Sequence, residues 1–129
     1  MSEAAEVVRR FYEAVARRDL EGALACFSED AVWILPGRSM IAGEHRGRDA
    51  IGQNVLAQVG PRSGETFRAD LLDVAVGEEH VVAVQRASAE RTGKRLDITA
   101  CQLMTVRDGR IVEVRGHYSD QYALDDFWD

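Results

Sequence analysis

The chain has 129 residues, of which 46% are hydrophobic and 29% charged, and its formal net charge is −6 at pH 7. This length suits one domain with one buried core, and the composition excludes a wholly disordered chain. The acidic balance argues against nucleic acid as the main partner. No apolar run approaches the roughly 20 residues that a membrane span needs, so no membrane partner is expected.

Helical periodicity marks the first part of the chain. Apolar residues one helical turn apart predict a first helix from about Glu3 to Arg17. Asp19 is the expected N-cap of a second, short helix whose apolar stripe runs from Leu20 to Phe27. The pattern breaks at residues 28–30, so the second helix is expected to end before them.

A short β-like run and a loop separate this helix from a third one. Residues 31–35 are apolar and end at Pro36-Gly37, and residues 36–47 are rich in glycine and predict a loop. A third helix is predicted from about Arg48 to Val59, because its apolar residues share one side and Gly60-Pro61 then stops it.

From Thr66 onward the hydrophobic period changes to two, which is typical of β-strands. The predicted strands are Thr66–Val76, His80–Glu90, Leu96–Val106 and Arg110–Tyr118. Short polar connections with glycine join them, which favours an antiparallel meander of hairpins. Residues 120–129 predict a last helical turn. Helices first and strands afterwards indicate an α+β domain with its helices on one face of the sheet.

Two cysteines, Cys26 and Cys101, lie far apart in the sequence. Their spacing does not fit a metal cluster, which needs more ligands at closer spacing. The first ten residues lack the basic-then-apolar order of a signal peptide. We therefore expect reduced core thiols in a cytoplasmic protein, with a disulfide or a nucleophilic cysteine as the alternatives.

Strand alternation divides the side chains of each strand between two faces. In strand 96–106 one face is apolar except for Gln102, and a lone polar group on a core face must find partners or face a cavity. If matching faces of the neighbouring strands coincide, polar side chains converge in an apolar bowl, the usual chemistry of a small-molecule site. These side chains are Arg86, Ser88, Gln102, Tyr118 and Asp120.

Each of these residues also has a purely structural interpretation. The Gln102 amide can satisfy a backbone group, and Arg86 can pair with a carboxylate across the sheet. Tyr118 can belong to the core with its hydroxyl at the rim, and Asp120 can cap the C-terminal turn. Ser88 is a weak candidate by itself.

Three further residues are candidates with open alternatives. His117 falls on the opposite face by strict alternation, and a bulge near Gly116 would turn it inward. His45, in the predicted loop, either lines the mouth of the pocket or lies on the surface. Trp33 is either a core residue or a platform for a ligand.

The common sequence signatures of catalysis and cofactor binding are missing. No Walker loop, GxGxxG, GxSxG or HExxH motif occurs in the chain. The histidines at positions 45, 80 and 117 do not have the spacing of metal ligands. We therefore expect neither a metal ion nor an organic cofactor.

Several segments match a known family in order and in sequence. They are FYEAV at 11–15, RDLEGAL at 18–24, FSEDAVW at 27–33, GEHRGRDAI at 43–51 and VRDGRI at 106–111. The chain resembles the SnoaL-like branch of the nuclear transport factor 2-like superfamily, which includes ketosteroid isomerases, limonene epoxide hydrolases and polyketide cyclases. The resemblance covers essentially the whole chain, and its ending resembles uncharacterised bacterial members.

This resemblance implies a fold and an assembly. The implied α+β fold, also described as a cystatin-like roll, is a cone in which a strongly curved antiparallel sheet wraps around three N-terminal helices. It leaves a pocket at the open end. Members of this family are commonly homodimers through the sheet, so a homodimer is expected here.

The residues that carry the ketosteroid isomerase reaction are mostly replaced. The aspartate base of those enzymes precedes a proline, and this chain has Leu35 before Pro36. The tyrosine of their oxyanion hole corresponds to Phe11, with Tyr12 adjacent and expected to point elsewhere. Gln102 takes the place of their second donor, a neutral aspartic acid. The resemblance therefore does not support ketosteroid isomerisation.

The other two activities of the family are matched unequally. Limonene epoxide hydrolases resemble the chain at Arg86, but their aspartate two residues later is Ser88 here. SnoaL-type polyketide cyclases use an acidic residue near the end of the last strand, where Asp120 is the nearest candidate and His117 the alternative. Cyclase-like proton transfer is the least contradicted reaction, and epoxide hydrolysis is less favoured.

The sequence thus predicts an enzyme that moves a proton on a small hydrophobic carbonyl or polyketide-like substrate. Asp120 or His117 is the expected proton carrier, while Arg86, Gln102 and Tyr118 would stabilise oxyanion charge. Trp33, Ser88 and His45 would line the pocket. The alternatives are a non-catalytic domain that binds a small ligand and a dimerisation or scaffold module.

Overall fold

The computed structural model describes residues 2–129, and within that range the chain forms helices and a six-stranded sheet. The helices are α1 (Glu3–Ala16), α2 (Leu20–Leu24), α3 (Arg48–Ile51), α4 (Ala57–Arg62) and α5 (Gln121–Trp128), and a π-helical segment, Gly52–Leu56, joins α3 to α4. The strands are β1 (Phe27–Leu35), β2 (Gly43–Arg46), β3 (Arg68–Val76), β4 (Val81–Arg91), β5 (Lys94–Arg107) and β6 (Arg110–Tyr118).

The strand order is β2-β1-β6-β5-β4-β3 in one curved sheet. The predicted α+β class and the meander from β3 to β6 are confirmed. The sheet is not wholly antiparallel, however, because β1 and β6 run parallel. The meander begins at the edge far from β1, and its fourth strand, β6, pairs with β1 in the same direction.

Apart from shifts of one or two residues at element ends, three assignments differ from the sequence prediction. Phe27 begins β1 rather than ending α2, since it pairs with Ile111 and is fully buried. Residues 43–46, expected as loop, form edge strand β2, whose mostly exposed residues carry no alternating pattern. The helix expected to stop at Gly60-Pro61 continues to Arg62. It ends at buried Ser63, whose hydroxyl donates to Val59 O and accepts from Phe67 N.

The core lies between the concave face of the sheet and the helices. Helix α1 buries the apolar stripe that the sequence predicted, and its Phe11 ring meets Phe27 and Trp33 at centroid distances of 5.3 and 6.1 Å. Helix α5 buries Leu124, Phe127 and Trp128 against the same core. The two ends of the chain therefore share one hydrophobic core.

Both cysteines are free, but the expectation of two core thiols is wrong for one of them. Cys26 is half-buried, whereas Cys101 is exposed on the outer face of β5, because alternation from inward-facing Gln102 turns it away from the core. Within residues 2–129 no cluster of three or more His, Cys, Asp or Glu side chains is arranged to hold a metal ion. No helix in the same range is long and apolar enough to cross a membrane.

Candidate functional site

A cavity of about 360 Å³ opens between the helices and the concave face of the sheet. Alternation in β1 turns Trp33 and Leu35 inward, and most of the other walls come from β3 to β6, the π-helical segment, α1, α2, α4 and α5. The apolar lining residues larger than alanine are Phe11, Val15, Leu20, Trp33, Leu35, Ile41, Val55, Leu56, Val59, Pro61, Phe67, Leu124 and Trp128. A concave, largely apolar cavity of this size is typical of a site for a small organic molecule.

The first polar pair in the cavity joins two adjacent strands. Gln102 of β5 is 2% exposed and donates from Nε2 to the Tyr118 hydroxyl of β6 at 3.2 Å. Gly116 lies directly across the ladder from Gln102. A Cβ at Gly116 would lie 2.7 Å from Tyr118 Cε2 and 3.2 Å from Gln102 Oε1. The absence of a side chain at Gly116 therefore leaves the space that the Tyr118–Gln102 pair occupies.

The second polar pair joins α1 to β4. The Tyr12 hydroxyl donates to Gln85 Oε1, and both side chains are buried. Gln85 lies on the inward face of β4 between Ala83 and Ala87. The two pairs give the cavity two tyrosine hydroxyls and two amides within otherwise apolar walls.

Two polar atoms of the cavity lining are buried without a hydrogen-bond partner in the described part of the chain. They are Gln102 Oε1 and Trp33 Nε1. A buried polar atom without a partner costs roughly 1–3 kcal/mol, so most such atoms in folded proteins are paired. Both atoms belong to side chains that line the cavity.

Burial controls the charge state of both tyrosines. It raises the pKa of Tyr12, and the nearby Tyr118 and Cys101 raise that pKa further. Burial also raises the pKa of Tyr118, while the hydrogen bond from Gln102 acts in the opposite direction. Both phenols are therefore neutral at pH 7. Because the Tyr118 oxygen accepts from Gln102, its proton is available to a ligand.

Charged groups lie only at the mouth of the cavity among the described lining residues. Arg18 Nη1 is 3.3 Å from Glu65 Oε2, and both side chains are about half exposed. The Asp19 carboxylate accepts from Gly22 N at 2.9 Å and caps α2. The interior is consequently uncharged, and the rim carboxylates already have partners.

The structure brings three of the predicted site residues together in the cavity: Trp33, Gln102 and Tyr118. The two residues expected to carry the proton lie elsewhere. Asp120 is exposed, and its carboxylate accepts from Ala123 N at 3.0 Å as the N-cap of α5. His117 is exposed on the outer face of β6, opposite Cys101, because no bulge at Gly116 reverses the alternation.

Arg86 and Ser88 also lie outside the cavity. The inward face of β4 carries the odd-numbered residues, so the prediction that Arg86 and Ser88 face the cavity is wrong. Arg86 instead donates to both carboxylate oxygens of Asp97 at 2.8 Å on the outer face. This bidentate bond raises the pKa of Arg86 and lowers that of Asp97.

His45 is half-buried in β2 and is not part of the cavity lining. Its Nε2 lies 2.9 Å from Ile41 O, so the ring is held by the preceding loop. The expectation that it lines the mouth is therefore wrong, because the segment pairs with β1 as an edge strand instead of forming a loop.

Two further polar residues of the cavity, Tyr12 and Gln85, were not predicted from the sequence. Tyr12 was expected to point away from the pocket, but it continues the helical stripe of Val8, Phe11 and Val15 and faces the cavity. Gln85 has the signal that identified Gln102, a lone polar residue on an apolar strand face. Ala83 and Ala87 on the same face of β4 are the signal that this face, with Gln85, is inward.

Comparisons with known proteins agree on one family. The chain matches the family model of the SnoaL-like domain over residues 8–114. An uncharacterized protein of Mycobacterium tuberculosis is 37% identical over 127 residues, which cover 95% of this chain and 94% of that protein. The solved structure of Bal32a, from a soil-derived mobile gene cassette, is 41% identical with a TM-score of 0.94, covering 98% of this chain and 97% of Bal32a.

More distant solved structures share the fold. A nuclear transport factor 2-like protein from Burkholderia xenovorans is 26% identical with a TM-score of 0.79, covering 98% of this chain and 96% of its own. The structure of a proposed polyketide cyclase from Sinorhizobium meliloti is 19% identical with a TM-score of 0.71, covering 91% of this chain and 100% of its own. The structure of an LEH-like epoxide hydrolase of M. tuberculosis is 21% identical with a TM-score of 0.76, covering 98% of this chain and 89% of its own. At that identity these two enzymes show the fold alone.

Proposed function

Because the chain belongs to the SnoaL-like domain family, we propose that its cavity binds a small, uncharged, ring-containing carbonyl compound. One observation carries the proposal: the neutral Tyr118 hydroxyl, with its proton available, lies within aromatic and aliphatic walls. A ligand carbonyl that accepts this proton would be oriented by it. Its ring would contact the walls provided by Trp33 and Phe11.

The electrostatics of the cavity favour an uncharged ligand over an anion. The interior holds no cation among the described lining residues, and the rim guanidinium of Arg18 is already paired with Glu65. Transfer of a carboxylate into such an environment carries a large desolvation cost. The same burial that keeps Tyr12 and Tyr118 protonated thus supports selection for neutral compounds.

A direct test is calorimetric titration with 2-tetralone, a neutral bicyclic ketone, and with 2-naphthoate, an anion of similar size. The proposal predicts saturable binding of the ketone and at least tenfold weaker binding of the anion. Tyr118→Phe should lower the affinity for the ketone roughly fivefold, since one neutral hydrogen bond is worth about 1 kcal/mol. Tyr122→Phe is the matched control, because Tyr122 is 89% exposed. Equal affinity for ketone and anion, or no binding of either, contradicts the proposal.

Catalysis on the same class of compound is the second candidate. Neutral tyrosine donors that face a carbonyl are suited to stabilise an enolate, as an isomerase or cyclase requires. Asp120 and His117 do not reach the cavity, so a base would have to come from the rim, where Asp19 and Glu65 lie. Epoxide hydrolysis is less favoured, because neither Arg86 nor Ser88 faces the cavity.

Proton exchange separates the two candidates. If the protein is a catalyst, it should accelerate exchange of the α-protons of 2-tetralone for deuterium, and Asp19→Asn or Glu65→Gln should remove the acceleration. Binding of 2-tetralone without exchange above the buffer rate would identify a binding protein. NMR of the ketone in D₂O measures this directly.

We also propose a cytoplasmic homodimer formed through the outer face of the sheet. That face carries the half-buried aliphatic residues Val82, Val84 and Leu103, and the free cysteines are consistent with a reducing compartment. Light scattering after size-exclusion chromatography measures the mass. A Leu103→Glu variant that remains folded and becomes monomeric would support this interface, and a monomeric wild-type protein would contradict it.

A further inference from the structure

The two tyrosine–glutamine pairs differ in what they leave for a ligand. In the Tyr12–Gln85 pair the amide oxygen accepts from the hydroxyl, so that oxygen is satisfied. In the Tyr118–Gln102 pair the amide donates instead, which leaves both the Tyr118 proton and Gln102 Oε1 without a partner in residues 2–129. One donor and one acceptor therefore remain on two hydrogen-bonded side chains that both line the cavity.

We propose that the ligand carries an N–H or O–H group directly beside its carbonyl. The carbonyl would accept from the Tyr118 hydroxyl, and the adjacent donor would satisfy Gln102 Oε1. This inference rests on the proposed function and narrows its ligand class to lactams, other cis-amides and neutral hydroxycarbonyl compounds. Simple ketones would fill the same space and leave the amide oxygen unpaired.

Contact with a ligand requires the Gln102 amide to turn toward the cavity, because the side chain is 2% exposed and its oxygen is covered. The terminal torsion of a glutamine is soft, so the amide can turn without leaving its rotamer. Because Gly116 has no Cβ, which would lie 3.2 Å from the oxygen, that side of the amide is free of a steric contact. The turn is favoured because leaving a buried acceptor unpaired is unfavourable.

The experiment compares 2-tetralone with its lactam analogue dihydroquinolin-2-one, in which N–H replaces the CH₂ group beside the carbonyl. The N-methyl lactam is a third probe that lacks the donor. Calorimetry on the wild-type protein should give about fivefold to tenfold tighter binding for the lactam than for either other probe, the range expected for one satisfied buried acceptor. The three compounds share the same bicyclic ring size, and the ketone is the probe matched in volume to the lactam.

Variants test whether the preference for the lactam depends on Gln102 Oε1. Gln102→Met removes the acceptor and should reduce the lactam-to-ketone affinity ratio to about one. Gln85→Met, which changes the other amide, should alter both affinities by the same factor and leave the ratio unchanged. Thermal unfolding checks that each variant is folded. Tyr118→Phe gives a second test, because loss of the shared carbonyl donor should weaken the lactam and the ketone alike.

The outcomes separate this inference from the proposed function. Equal binding of lactam and ketone by the wild-type protein overturns the inference and leaves the proposed function standing. A lactam preference that persists in Gln102→Met also overturns it, because another atom must then accept the N–H. If none of the three probes binds, both proposals are overturned.

Discussion

Gly116 lies opposite Gln102 in the β5–β6 ladder, and the space left by its missing side chain holds the Gln102 amide and the Tyr118 ring. Its backbone is not in the left-handed region, so the requirement for glycine at this position is steric. The position of the two polar side chains in the cavity therefore depends on a glycine at residue 116.

Gly116→Ala should displace the Tyr118–Gln102 pair. The added methyl would lie 2.7 Å from Tyr118 Cε2, well inside van der Waals contact. We expect a loss of about 1–3 kcal/mol in unfolding free energy, as for other overpacked cores, together with weaker binding of 2-tetralone. Denaturant unfolding and calorimetry measure the two effects. Unchanged stability and unchanged affinity would show that the pair does not need this space.

Asp120→Asn and Asp120→Ala should separate a helix cap from a catalytic carboxylate. Asparagine caps a helix as well as aspartate does, so Asp120→Asn should be nearly neutral, whereas Asp120→Ala should destabilise the protein by about 1 kcal/mol. Thermal unfolding of both variants tests this. If Asp120→Asn abolished catalysed deuterium exchange in 2-tetralone while leaving stability intact, Asp120 would be a proton carrier after all.

The buried tyrosines should make stability depend on alkaline pH. Their pKa values are raised in the folded state, whereas an unfolded tyrosine titrates near about 10. Their contribution is therefore fully present below about pH 10 and is lost as the pH rises toward the folded pKa values. Urea unfolding from pH 8 to 11 should show a shallower decline for Tyr12→Phe than for the wild-type protein. If the unfolding free energies of Tyr12→Phe and the wild-type protein declined equally with pH, the raised pKa of Tyr12 would be contradicted.

In this chain, the change of stability at alkaline pH reports mainly on the tyrosines. Lys94 is the single lysine, so few groups other than tyrosines and cysteines titrate in that range. A Tyr122→Phe variant serves as the control, because Tyr122 is exposed and has no buried partner to lose.

Local patterns predicted much of the fold. The helical stripe of α1, the glycine hairpins from β3 to β6 and the cap at Asp120 are signals within one element, and the structure agrees with them. Strand β2 and the parallel β1–β6 pair depend on which strands meet in space. No short-range pattern reports that pairing, so the sequence analysis missed both.

The site was predicted less well for a related reason. Alternation separates the two faces of β4, but it does not say which of them is inward. Arg86 and Ser88 were therefore chosen where Gln85 and Ala87 face the cavity. For Gln102 the neighbouring apolar side chains identified the inward face correctly. Asp120 lies beyond the end of β6, where strand alternation no longer applies.

The most direct test of the account is an indole N–H NMR titration with 2-tetralone. The chain has two tryptophans, Trp33 and Trp128, and both line the cavity. We expect both indole signals to shift with one dissociation constant, while the amide signals of Thr99 and Cys101 on the outer face do not shift. Unmoved indole signals, or shifts confined to the outer face, would contradict the claim that this cavity binds the ligand.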